Sequence, residues 1–187
     1  LFPYTTLFRS RKFFRVALGG DKDTSSLKGF RRTYVGAMPG KIINALKKTG
    51  TENPVILLDE IDKLTGRTHQ GDPSSVLLEV LDSEQNNAFT DDYLDAPIDL
   101  SKVFFLCTAN DLRNVPQPLL DRLEIIDVSG YTTLEKKFIY NTHLKPKGIQ
   151  LAGLNNTSNL NGIDFNVTEK AVDKLISDYC RESGVRS

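Results

Sequence analysis

Val55-Ile56-Leu57-Leu58-Asp59-Glu60-Ile61-Asp62-Lys63 decides how the rest of the chain is read. Four apolar residues in succession, entered through Asn53-Pro54, predict a strand buried on both faces, as in the parallel sheet of an α/β domain. Two adjacent carboxylates end it. Side chains delivered to the carboxyl end of a strand in an open α/β sheet face a ligand crevice and not the core. Asp59 in that position suits Mg²⁺, which takes one or two carboxylates together with phosphate oxygens and water. Glu60 is then placed to orient or deprotonate an attacking water. The alternative for an apolar run plus Asp-Glu is a buried strand with a solvated acidic turn, and the flanking segments decide between the two.

Upstream, Lys12 to Leu18 (KFFRVAL) is rich in aromatic and β-branched residues and stops at Gly19-Gly20, which predicts a strand. Arg31-Arg32-Thr33-Tyr34-Val35-Gly36-Ala37-Met38-Pro39-Gly40-Lys41 follows a polar stretch. Pro39 can open a helix at its first position, with Ile42, Ile43, Ala45 and Leu46 on the apolar face. Gly36 to Lys41 is not a phosphate loop: the glycine spacing is a residue short of GxxxxGK, and Ile42 stands where Ser or Thr is required. The first ten residues, LFPYTTLFRS, have neither helical nor strand period and look like translated adapter sequence, so residues 1–10 are set aside as a non-native segment.

Downstream, Thr65 to Gly71 reads as a polar loop containing His69, a solvated loop histidine before anything more specific. Asp72-Pro73 supplies an N-cap and a first-turn proline for a helix that buries Val76, Leu77, Val80 and Leu81. Asn86 to Pro97 reads as loop. Val103 to Thr108 is a second fully buried strand with Asn110 just beyond it. Pro116 and Pro118 precede a short helix ending near Arg122, and Ile125-Ile126-Asp127-Val128 is another strand. From Thr133 the period is helical, first to Leu144 and again from Val167 to Cys180, with a polar, Asn-rich insert between. The expected division is a sheet domain over 11–130 and a small helical one over 131–187.

Composition narrows the classes. The chain has 187 residues, enough for one domain and a small appendage. Lys+Arg and Asp+Glu balance at 24 each, so no global basic field argues for nucleic acid or an anionic membrane. No apolar run approaches the roughly 18 to 20 residues of a membrane span. Cys107 and Cys180 have no CxxC or metal-type spacing to His69 or His143, and are expected to be reduced thiols with a packing role.

Strands ending in Asp-Glu (a Walker B pattern) and in Thr-Ala-Asn, an Arg before a third strand, and a helical appendage ending in Gly-Val-Arg together resemble the AAA+ ATPase module. RRTYVGAMPGKII, NPVILLDEIDK, QGDPSSVLLEVLD, DLSKVFFLCTAN, PLLDRLEII and CRESGVR are closer still to the ATP-dependent Lon proteases, in the Lon order, over residues 11–187. The resemblance implies an α/β, P-loop-type parallel sheet followed by part of a small α-helical lid. It implies ATP and Mg²⁺ as cofactors, with Asp59 on the metal and Glu60 activating water. Asn110 matches the sensor-1 residue, whose alternative is a strand-end turn Asn. Arg122 matches the arginine finger that serves a neighbouring subunit's nucleotide, and its alternative is a helix-end Arg paired with Asp121 or the helix dipole. Arg186 matches the sensor-2 arginine of the lid, although the helix that should hold it is absent. Tyr34-Val35 matches the aromatic-hydrophobic pair of the first pore loop, which grips extended substrate through stacking and apolar contact; the alternative is a core pair.

Further implications are a homohexameric ring and unfolded or damaged proteins as substrates for ATP-driven unfolding, threading and quality-control proteolysis, with no membrane or nucleic-acid role indicated. FFLCTAN and YCRESGVR look more like the mitochondrial branch, which implies the matrix, with the bacterial cytoplasm or a peroxisome as alternatives. Two departures matter. The family's strand, GxxGxGKT-type loop and helix before KFFRVAL have no counterpart, so the N-terminal strand and phosphate loop are missing and this stretch by itself is expected to be inactive. The Ser-Lys peptidase and N-terminal domains lie outside it. Competing readings are a non-proteolytic AAA+ remodeller and a nucleotide-independent ring module.

Overall fold

The computed structural model describes residues 10–20, 23–64, 71–153 and 167–185. In chain order the elements are β1 (Phe13–Ala17), α1 (Thr24–Lys28), α2 (Lys41–Thr49), β2 (Val55–Asp59), α3 (Pro73–Leu81), β3 (Phe89–Asp91), β4 (Ala96–Ile98), β5 (Phe104–Cys107), α4 (Gln117–Leu120), α5 (Thr133–Ile139), α6 (Lys145–Leu151) and α7 (Glu169–Lys174). They fall into two compact units, Leu1–Ile125 and Ile126–Ser187.

In the first unit β2 is the middle strand of a parallel sheet ordered β1-β2-β5, with Phe13 opposite Val55 and Val55 opposite Phe104. Its apolar run is the reason: Ile56 and Leu58 are completely buried and Val55 nearly so. Such a strand is stable only where both faces are covered. Ile42 and Ala45 of α2 and Leu77 and Val80 of α3 are buried in the same core. Asp72 caps α3 as its composition predicts, accepting from Ser74 N at 2.9 Å, with Pro73 in the first turn.

Several local expectations are corrected. Pro39 does not open α2; Gly40 is the N-cap, its N–H donating to Asp91 Oδ2 at 2.8 Å, while the Pro39 carbonyl accepts from Asn44 Nδ2. Asn86 to Pro97 is not simply loop, because β3 and β4 pair antiparallel, Phe89 with Ile98. Strands of three residues fall below what periodicity can resolve. The Val103–Thr108 strand is not fully buried: Phe104 and Leu106 of β5 are 41% and 47% exposed. Among the described residues β5 is one of the two sheet edges, and these two exposed side chains alternate onto the same face. Ile125, Ile126 and Val128 form no strand and are strongly exposed. β-Branched residues become strand only where a ladder and a packing face exist, and no described strand pairs with them.

The second unit opens with a complete capping box, Thr132 accepting from Glu135 N and Glu135 accepting from Thr132 N, ahead of α5. The helix does not stop at Leu144. It widens into a π-helical turn over Tyr140–Leu144 and continues as α6. Pro146 explains the widening, since it has no N–H to give and its ring presses on the carbonyl four residues back. Thr168 caps α7 through Ala171 N. Lys136 is buried, donating to the carbonyls of Cys180 and Glu182, and Tyr131 N donates to Ser183 O at 3.0 Å. These bonds join the two ends of this unit.

Candidate functional site

β2 delivers both acids to the carboxyl end of the sheet, where neighbouring strands meet them. Arg15 on β1 lies opposite Leu57 in the register. From there its guanidinium reaches Asp59 Oδ2, Nε at 2.8 Å and Nη2 in a shorter ion pair. Thr108, just past β5, donates its hydroxyl to Asp59 Oδ1 at 2.5 Å. The Thr108 hydrogen bond first, and the Arg15 hydrogen bond second, hold the Asp59 carboxyl below the ordinary carboxylate range.

Glu60 turns the chain out of the strand with φ 61° and ψ 52°, a left-handed conformation rare for a non-glycine residue. Its N–H donates to Thr108 Oγ1 at 3.0 Å, and Ile61 N donates to Thr108 O at 3.0 Å. Lys63 Nζ lies 2.7 Å from Glu60 Oε1, and that bond raises the Lys63 pKa. The other oxygen lies over Gly19 so closely that a Cβ there would overlap Glu60 Oε2. Gly19 therefore gives the Glu60 side chain its room. Asp59 is thus tied to side chains from both neighbouring strand segments, and Glu60 to Thr108 through its backbone N–H and to Lys63 through its carboxylate.

Asn110 stands exposed two residues beyond Thr108. Arg122 is paired in this chain, but not with Asp121: its Nη2 and Nε lie 3.1 and 3.3 Å from Asp82 Oδ2, and Nη1 donates to Pro118 O. Gln117 takes Asp121 instead. Tyr34 is 65% exposed and Val35 fully so, which excludes a core role. Their loop is closed at its base by Phe30 N to Met38 O, and Arg32 pins it by donating to Tyr93 O at 2.6 Å. His69 and Arg186 lie outside the described residues.

Sequence reasoning missed Arg15, Thr108, Lys63, Asp82 and Asp91. Lys63 three residues after Glu60 was the one local signal; the others act across gaps of 40 residues or more. No cluster of three or more His, Cys, Asp or Glu is arranged for a metal among the described residues. Asp59 still fits Mg²⁺, which needs few protein ligands: its carboxyl is held below the ordinary range, and of about four lone-pair sites on a carboxylate two on Oδ2 go to Arg15 and one on Oδ1 to Thr108, leaving one on Oδ1 for a metal. Cys107 is no nucleophile, since burial pushes its thiol up to about 11. No helix among the described residues is long and apolar enough to cross a membrane.

Comparison with known proteins agrees with this geometry. Residues 10–131 match the ATPase family associated with various cellular activities (AAA), and residues 156–187 match the Lon protease AAA+ ATPase lid domain. Mitochondrial Lon protease homologs from Aspergillus niger, Yarrowia lipolytica and Ostreococcus lucimarinus are 56%, 55% and 56% identical over 95% of this chain. The chain spans only 15%, 15% and 18% of their lengths. An AAA domain implies nucleotide binding. The chain belongs to the AAA family of ATPases and, within it, to the group that carries the Lon-type lid.

Proposed function

We propose that this chain is the nucleotide-hydrolysing and lid part of a Lon-type ATP-dependent protease, in which a homohexameric ring couples hydrolysis to unfolding damaged proteins and threading them into a peptidase chamber. Residues 11–130 form the AAA+ core, 131–187 part of the lid, and 1–10 are non-native. The observation that carries the reading is the meeting of Asp59, Glu60 and the Thr108–Asn110 strand end at one end of the parallel sheet. The mitochondrial naming of the relatives supports a mitochondrial protein, and we place it in the matrix.

In this reading Asp59 holds Mg²⁺, which when bound neutralises charge on the β and γ phosphates. Glu60 accepts a proton from the attacking water, for which Oε2 is available while Lys63 holds Oε1. Asn110 hydrogen-bonds the water or the γ-phosphate. Arg122 exchanges Asp82 for the phosphates of a neighbouring subunit, for which its fork of five donors is suited. Arg186 reaches the phosphates from the lid, and Tyr34 with Val35 grips the substrate. A nucleotide-independent ring module is the second reading. It is favoured by Arg122 being occupied in cis.

The test is Glu60→Gln in a complete subunit with a phosphate loop ahead of Arg11. ATP binding should persist while turnover falls by about two orders of magnitude, as for loss of a positioned general base. Turnover within a few-fold of the parent would remove Glu60 from the chemistry. In the same series, calorimetry with Mg-ATP should show no saturable micromolar binding to the 187-residue chain, which lacks the backbone cradle for phosphate. Saturable binding would point to a different phosphate site.

A further inference from the structure

The geometry points to Thr108 as a positioning residue of the hydrolytic site, one whose hydroxyl sets the orientation of Asp59 and the backbone turn at Glu60 together. Four hydrogen bonds join this residue to 58–61. Its N–H donates to Leu58 O and its carbonyl accepts from Ile61 N, both at 3.0 Å. Its hydroxyl gives its proton to Asp59 Oδ1 and accepts the Glu60 N–H. A hydroxyl has one proton and two lone pairs, so the two bonds fix its rotor: the group that donates to one acid accepts from the other. The left-handed turn of Glu60 is disfavoured on its own. The backbone N–H of Glu60 is taken by this hydroxyl, a contact that substitution can remove without touching the strand ladder. Asn110 rides on the same strand end two residues later. Thr108 therefore relates the two acids to the polar group that shares their water. It touches neither phosphate nor water in this scheme, and acts through Asp59 and Glu60.

The inference rests on the reading of Asp59 and Glu60 given above, and its test separates the two. In the full-length protein, Thr108→Val removes both hydroxyl bonds at nearly constant shape, and Thr108→Ser keeps both. Thr108→Val should lower kcat about tenfold, with KM changed less than about twofold, as expected when a reacting group is misplaced but the ligand still binds. Mn²⁺ affinity in the presence of ADP, followed by electron paramagnetic resonance, should weaken several-fold, because Asp59 is then held by Arg15 alone and its Oδ1 has to be ordered on binding. Thr108→Ser should stay within about twofold of the parent in both readouts. If Thr108→Val matches the parent in kcat and Mn²⁺ affinity while Glu60→Gln abolishes turnover, the inference falls and the function stands. If neither substitution lowers turnover, both fall. Should Thr108→Val melt well below the parent, Thr108→Ala against Thr108→Ser, read where both are folded, gives the same comparison; equal values there overturn the inference.

Discussion

Tyr34 shows how a single side chain separates stability from work. Its ring is 65% exposed and Val35 beside it is fully so, while the loop that carries them is fastened by its backbone and by Arg32. Truncation removes little packing, so Tyr34→Ala should change unfolding free energy by no more than about 0.5 kcal/mol, the usual range for exposed positions. In the complete subunit ATP hydrolysis should persist while degradation of a stably folded substrate fails. Parallel assays of ATPase and of a folded reporter check this; equal loss of both would mean that Tyr34 supports the nucleotide site. Arg122 makes a different point at the same scale. Its type and place in PLLDRLEII suggested a reach outward, yet within one chain it rests on Asp82. For the role proposed at a neighbour's nucleotide, Arg122 would first have to give up that pair.

Among the elements, α2 has no side-chain cap of its own at its start. Gly40 offers no capping side chain, and the cap comes from β3, where buried Asp91 accepts from Gly40 N on one oxygen and from Tyr93 N and Leu94 N on the other. Gly29, at φ 86°, leaves the space that this carboxyl group fills. One side chain thus fixes a helix start and a hairpin turn. Asp91→Asn puts an amide N–H₂ against one of these backbone donors and leaves it without an acceptor. It should cost about 2–4 kcal/mol, from the loss of a buried hydrogen bond to a charged group. Denaturant unfolding of the chain measures this, and a loss under about 0.5 kcal/mol would show that the turn repairs itself. The period of 3.6 located α2 without difficulty, but nothing near Gly40 in sequence names its cap.

At the scale of the whole molecule, acid should destabilise the chain. Asp82, Asp99 and Asp111 all have carboxyl groups held below the ordinary 3.8, by the Glu84 backbone, by Ser101 and by Arg113 respectively. A carboxyl group whose folded pKa is depressed takes up its proton more readily when unfolded. Its contribution is complete above about pH 4 and is lost as pH falls through the folded values. The melting temperature should accordingly fall between about pH 4 and pH 2 from these groups, which themselves add no slope between about pH 5 and 8. A melting temperature that held level or rose between pH 4 and 2 would contradict the assignment. The sequence by itself determined the α/β class, the β2 strand with its two acids, the Asp72 cap and the family, because each is written in a continuous run whose period or spacing is local. Only the tertiary structure decided that Arg15 and Thr108 hold Asp59, that Asp91 caps α2, that Arg122 sits on Asp82, that β5 is half exposed and that Ile125–Val128 is no strand. Each of these depends on which distant backbone lies within hydrogen-bonding reach, and neither residue type nor period encodes that distance.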